Sequence, residues 1–291
     1  MPNFVRYGVA AILPIAASLC AVPAVAQSAG DNNADLAAKF GGDNITVGVA
    51  GAYVPDYEGS NDYRFVPAPV VLGQLAGFSF TVIGNRASLD LIPNRPGDKI
   101  DFQLGPIAVL NFDRTKLKDI DDVRVRRLGK INTGIEIGGY VGIGKTGIIT
   151  SPYDKLSISV SYRHDVNNAH DSEIWQPAIN YLTPLSRKAA VGLTASASRV
   201  GTGYAQTYYS ITPQQSLSSG LPVYNAKAGW KNYQLGGYMT YALTGDLLKG
   251  FKLIAGGAYS RLLGDYSYSP IVRLQGKPDQ WIGALGVAYT F

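Results

Sequence analysis

Cysteine is almost absent from this 291-residue chain: Cys20 is the only one. It falls in residues 1–26, which read as a secretory signal peptide. Arg6 is the only charge there, an apolar run passes through Val9, Ile12, Leu13 and Leu19, and Ala24-Val25-Ala26 precedes Gln27 as a peptidase site. Leu19 stands where a small residue precedes a lipidated cysteine, so cleavage after Ala26 is expected rather than lipid attachment. Cleavage leaves no cysteine, which excludes disulfides, thiolate catalysis and cysteine-metal sites. Charge is also scarce. Only 16% of residues are charged, against about 25% in ordinary soluble proteins. The net charge of +5 is not gathered into a long basic run, and no nucleic-acid-binding signature is present. Nucleic acid is therefore not an expected partner.

A helix that could cross a membrane is missing too. Residues 65–84 carry no charge, but Pro67, Pro69, Gly73 and Gly77 interrupt them. Prolines inside a helix each cost about 3 kcal/mol, so two strands turning near Leu75-Ala76-Gly77 are expected instead.

What the chain does have is 34 glycines, 19 tyrosines and a two-residue period. In residues 156–163, Leu156, Ile158, Val160 and Tyr162 alternate with Ser157, Ser159, Ser161 and Arg163. Residues 131–144 repeat the pattern: Ile135, Ile137, Val141 and Ile143 against Glu136, Tyr140 and glycines. So do residues 232–243, where Tyr233, Leu235, Met239 and Tyr241 oppose Asn232, Gln234, Tyr238 and Thr240. Alternation marks strands with unlike faces, and a soluble sandwich would show it as well. Three features point to lipid. Many strands are as long as a tilted bilayer-spanning strand requires. Tyr53, Tyr162, Trp175, Tyr181, Trp230, Tyr241 and Trp281 sit near strand ends, as interfacial girdles do. The last strand carries Tyr289 and Phe291, which resemble the assembly signal of bacterial outer-membrane barrels and imply the barrel-assembly machinery as a partner.

Because lipid leaves unpaired backbone groups costly, such strands must close into a barrel. An all-β, transmembrane, antiparallel up-and-down barrel is expected over residues 43–291, after a periplasmic segment at 27–42. Strands are expected near 44–54, 63–74, 78–84, 86–92, 100–112, 131–144, 156–165, 173–183, 189–200, 230–243, 250–262 and 281–290. That makes twelve, or ten if residues 78–92 form one strand. The long connections 113–130, 208–229 and 263–280 then face outward.

Several phrases along the chain, taken in order, resemble the MipA/OmpV family. They are Pro55-Asp56-Tyr57-Glu58-Gly59-Ser60; Ile211-Thr212-Pro213 with Ser219-Gly220-Leu221-Pro222; residues 259–265; Ser269-Pro270-Ile271-Val272; and a terminal Tyr289-Thr290-Phe291 where the family commonly has Tyr-Arg-Phe. The resemblance implies an outer-membrane barrel in the bacterial outer membrane. In some relatives it implies a scaffold between a lytic murein transglycosylase and a penicillin-binding synthase, and in others an adhesin. It supplies no catalytic residues.

The chemical candidates are few, and neither a cofactor nor a metal is expected. His164 and His170, each beside an aspartate, could activate water at a rim, but no nucleophile is placed by spacing, and a polar loop with a turn at Asn167-Asn168 explains them. Asp119, Asp121 and Asp122 offer oxygens to a divalent cation but lack the glycine-containing loop and closing glutamate of a calcium hand. Arg124, Arg126 and Arg127 could meet lipopolysaccharide phosphates, or belong to a solvated mixed-charge loop. Arg163, Glu136, Gln176 and Asn232 are expected to face a narrow, largely filled lumen. A non-enzymatic scaffold is the leading expectation, with a narrow channel for small polar solutes as the alternative.

Overall fold

The computed structural model describes residues 43–93 and 98–291. The signal peptide and the 27–42 segment lie outside the described residues. Twelve antiparallel strands close on themselves: β1 Asn44–Pro55, β2 Tyr63–Leu75, β3 Phe78–Ile83, β4 Arg86–Leu89, β5 Ile100–Asn111, β6 Gly134–Thr146, β7 Lys155–Asp165, β8 Glu173–Pro184, β9 Ala189–Val200, β10 Gly229–Ala242, β11 Gly250–Leu262 and β12 Asp279–Thr290. Every strand pairs with its sequence neighbours, and β1 pairs β12 from Thr46↔Thr290 to Tyr53↔Gly283. The seam is reinforced by Thr46 Oγ1 and Thr290 Oγ1 at 2.6 Å, and the Phe291 amide still donates to the Ile45 carbonyl. No helix among the described residues is long and apolar enough to cross a membrane.

The faces follow the sequence alternation. Ile158, Val160, Leu235, Met239, Phe251, Leu285 and Val287 lie exposed on the outside, whereas Ser161, Arg163, Glu136 and Asn232 are buried inside. An apolar exterior over strands of 11 to 14 residues, all but β3 and β4, suits a hydrocarbon layer of about 30 Å, since about ten tilted residues suffice. Aromatics ring both ends. Tyr53 lies 4.9 Å from Phe65, Tyr162 4.9 Å from Trp175 and Tyr259 5.0 Å from Trp281 at the outer end. Phe251, Tyr289 and Phe291 form the chain of rings at the other end.

The ten-strand alternative fails at residues 78–92. Gly84, at φ +58°, turns the chain there into two short strands of six and four residues. Because β3 pairs β2 only from Val70 onward, the upper half of β2 has β1 as its sole strand partner. Pro67 and Pro69 occupy that half, where a missing amide costs least. The β5–β6 connection reaches across the notch it leaves, where Asp119 pairs with Arg64 of β2 at 2.7 Å.

That connection and its neighbours are not plain loops. They contain a 3₁₀ turn at Leu117–Asp119 and five helices: α1 Val123–Arg126, α2 Thr202–Tyr209, α3 Pro213–Ser219, α4 Gly264–Tyr268 and α5 Pro270–Arg273. Helix α3 shows why. Thr212 accepts from the Gln215 amide while the Gln215 side chain reaches back to the Thr212 amide. Pro213 takes the first turn and Gly220 ends the helix at φ +71°, so every terminal signal agrees.

Candidate functional site

The outer connections pack into a cap with two apolar clusters of its own. One joins Ile174, Val200, Tyr204, Ala205, Tyr208, Tyr209, Leu262, Tyr266 and Val272; the other joins Tyr57, Ile120, Val125, Leu128, Ile211, Leu221 and Ile271. Helix α2 lies across the mouth, because its contacts reach widely separated parts of the ring. The buried Arg114, from the β5–β6 connection, donates to the carbonyls of Thr207 and Tyr208 at 2.8 Å each. That satisfies the last turn of α2 and meets its negative end. From β10, Lys231 donates to Glu58 at 2.6 Å and to the Tyr204 hydroxyl at 3.1 Å. Tyr204 in turn donates to Glu58 at 3.1 Å. Burial first, and then the Glu58 charge, push the Tyr204 hydroxyl well above its ordinary pKa, which keeps it a donor.

The phrases at residues 55–60 and 269–272 interlock in this cap. The Tyr57 hydroxyl donates to the carbonyls of Gln275 at 3.1 Å and Ile271 at 3.3 Å. Gly59 has φ +99°, and a Cβ there would meet Val272 Cγ2 at 2.5 Å. Its carbonyl accepts from the Lys277 amide, Ser60 bridges Gly276, and the Ser269 hydroxyl donates to Tyr209 O at 2.6 Å. Pro55 ends β1, Asp56 turns into the loop and Pro270 opens α5. Tyr57 is thus part of the cap, whereas Tyr63 stacks on Tyr53 at 5.0 Å in the outer girdle.

The other sequence candidates separate. His164 faces outward and lies 3.4 Å from Asp171, while His170 is buried on the inner side, 3.6 Å from Glu136. They stand on opposite sides of the wall and form no joint site. Asp119 pairs with Arg64 at 2.7 Å, and Asp122 caps α1 through the Val125 amide at 2.8 Å. Only Asp121 of that trio is left for other partners. Arg124 is spent on the carbonyls of Ser219 and Gly220 at the end of α3, whereas Arg126 and Arg127 are exposed.

Inside the lumen the expected polar residues bond to one another. Arg163 donates to Glu136 at 3.0 Å and to Gln176 at 2.9 Å, Arg86 donates to the same Gln176 oxygen, and Asn232 donates to Ser260. At the opposite end the β6–β7, β8–β9 and β10–β11 turns frame a cleft of about 190 Å³. Tyr153, Pro184, Leu185, Leu247 and Leu248 line it, with Arg187 and Asp246 at its edge. Asp154 holds one wall by accepting from the amides of Ile148 and Ile149 and from the Tyr181 hydroxyl.

A closed barrel with an apolar, ringed exterior and a capped end defines the class: this is a β-barrel protein of the bacterial outer membrane. Residues 47–291 match the family model of the MltA-interacting protein MipA, and the chain belongs to that family. Among curated proteins none matches the sequence. Solved structures with similar folds include an outer membrane channel from Pseudomonas putida F1, at 11% identity and TM-score 0.43, covering 86% of this chain and 96% of that one. The CymD monoaromatic hydrocarbon channel is similar at 10% identity and TM-score 0.39, covering 91% and 94%. The DcaP channel of Acinetobacter baumannii gives 9% identity and TM-score 0.36, covering 86% and 96%.

Sequence reasoning missed the Glu58–Lys231–Tyr204 contact and the cap helices. The Thr212-Pro213-Gln214-Gln215 start and the Gly220 stop were readable as a helix. Nothing local in the sequence brings Glu58 to Lys231, 173 positions away.

Proposed function

We propose that the chain is a non-enzymatic outer-membrane anchor whose periplasmic turns hold a lytic murein transglycosylase of the MltA kind. The observation that carries this reading is the unequal finish of the two ends. The outer mouth is crossed by α2 and covered by connections packed around buried tyrosines. The periplasmic rim instead leaves Leu185, Leu247 and Leu248 around a cleft. An apolar cleft edged by one cation and one anion suits a protein partner, because apolar contacts supply affinity and the rim charges set orientation. The family description names an MltA interaction, and the cleft is where such a partner would be met. In the test, a photocrosslinking residue replaces Leu248 in whole envelopes, with the same residue at the outer Leu217 as a control. A crosslinked lytic transglycosylase from the Leu248 position alone is expected. No such adduct, or equal adducts from both positions, would overturn the proposal.

One observation favours the second reading, a narrow channel. Tyr238 faces the lumen yet remains 46% exposed, so the barrel holds solvent space at that level. Single-channel steps from the intact protein in a planar bilayer, lost on Gly192→Trp beside the Tyr238 ring, would put this reading first.

A further inference from the structure

We propose that Asp56, Asp62 and Asp121 form a calcium site that clamps the β1–β2 loop to the β5–β6 connection at the outer surface. One carboxylate oxygen from each residue lies within 4.8 Å of the others. That is the widest separation two ligands of one calcium ion reach when each sits about 2.4 Å away. The three come from two connections that meet where the upper half of β2 has no second strand partner.

The acids do not simply share a solvated patch. Asp56 is only 5% exposed. Its Oδ2 accepts the Asp121 amide at 2.9 Å, while its Oδ1 is buried with no hydrogen-bond partner. A buried carboxylate oxygen left this way costs several kcal/mol unless a positive charge meets it. No hydrogen bond joins a neighbouring cation to this oxygen. Arg64 pairs with Asp119 at 2.7 Å, and Asp122 is engaged with the α1 amide.

The donor set selects the ion. Three carboxylates with no nitrogen or sulfur suit a hard cation. Calcium accepts irregular oxygen cages completed by water, whereas magnesium requires a tighter octahedron at about 2.0–2.1 Å. Extracellular calcium sites commonly bind at about 10⁻⁴–10⁻³ M, which matches a site open on one side. Bound there, the ion would close the notch that the Arg64–Asp119 pair already spans.

Isothermal titration of the refolded full chain in detergent, after chelator treatment, tests this with calcium chloride and magnesium chloride as probes. One calcium per chain is expected, with magnesium at least about tenfold weaker. Asp121→Asn and Asp62→Asn, both at accessible positions, should weaken calcium at least about tenfold as each removes a charged ligand. Asp119→Asn should leave it within about twofold, since that carboxylate belongs to Arg64. The proposal is overturned if the parent shows no calcium heat at concentrations about tenfold above 10⁻³ M, if both ligand variants bind as the parent does, or if Asp119→Asn weakens binding as much as they do.

Discussion

At the outer end of the barrel, the connections at 112–133, 201–228 and 263–278 carry five helices, two apolar clusters and side chains that reach across the ring. At the periplasmic end, the turns at 76–77, 147–154, 185–188 and 243–249 are held mainly by short-range hydrogen bonds within or beside each turn. Ala76 takes φ +51°, Ser186 accepts from the amides of Lys188 and Ala189, and Asp246 accepts from those of Leu248 and Lys249. Barrel walls are stabilised by the strand ladder whatever the connections do. Packing invested in one end therefore serves something other than holding the barrel together. On the proposed function, the cap closes the mouth and the periplasmic rim is the face that meets a partner.

The largest test of that contrast removes the crossing helices. Replacing residues 202–219 by a short Gly-Ser linker should convert a silent barrel into a conducting one in planar bilayers, with heat-modifiable mobility on gels unchanged. Equal conductance before and after would mean that the cap does not seal the mouth. A smaller change, Tyr57→Ala, removes a buried ring from the cap, and loss of a buried aromatic costs about 3–5 kcal/mol. The expected result is faster protease cleavage in residues 201–228 while the barrel stays folded. Leu247→Ala, at the half-exposed rim, should leave that cleavage rate unchanged. If both substitutions act alike, the two ends are not built differently in energy.

Within the cap, Glu58→Gln leaves the shape but removes the charge facing Lys231. With Glu58 about a quarter exposed, the loss should be about 1–2 kcal/mol, below that for a fully buried pair. Hydrogen exchange in α2 would measure it. No acceleration there would show that Tyr204 and Lys231 hold the helix without Glu58.

How much of this was readable in the sequence differs between the same two regions. The wall was legible because each strand pays for its two environments residue by residue: Leu156, Ile158 and Val160 alternate with serines whatever the rest of the chain does. Boundaries agreed to within a few residues for most strands, and the β3–β4 hairpin was one of the two alternatives left open for residues 78–92. The cap was not legible because its order comes from contacts between distant segments. Tyr57 meets Ile271, Arg114 meets Thr207, and Glu58 meets Lys231. Asp56, Gly59 and Ser60 are turn-forming residues and suit the bend that follows β1. They gave no sign that Asp56 would be buried beside Asp121, since a side chain's burial in such a cap depends on segments more than sixty positions away.

The smallest expected effect belongs to the periplasmic rim and concerns acid. Burial alone would raise the Asp154 pKa. The amides of Thr150, Ile148 and Ile149 and the Tyr181 hydroxyl outweigh it and hold the carboxyl well below the usual carboxylate range. A carboxyl whose folded pKa is depressed stabilises the fold above its unfolded pKa, about 3.9, and that contribution fades as pH falls toward the folded value. The turn at residues 147–154 should therefore be tight at neutral pH and loosen only in strong acid. Asp154→Asn keeps the size of the side chain but loses the charge that attracts these donors. Relative to the parent, amide exchange at Ile148 and Ile149 should be faster at pH 7, and the gap should close as pH drops below about 4. The cap should show no matching change, because Asp154 has no part in it. A gap that persists unchanged into acid would mean that the turn is held by shape rather than by the carboxylate, and would bring the rim closer in kind to the cap.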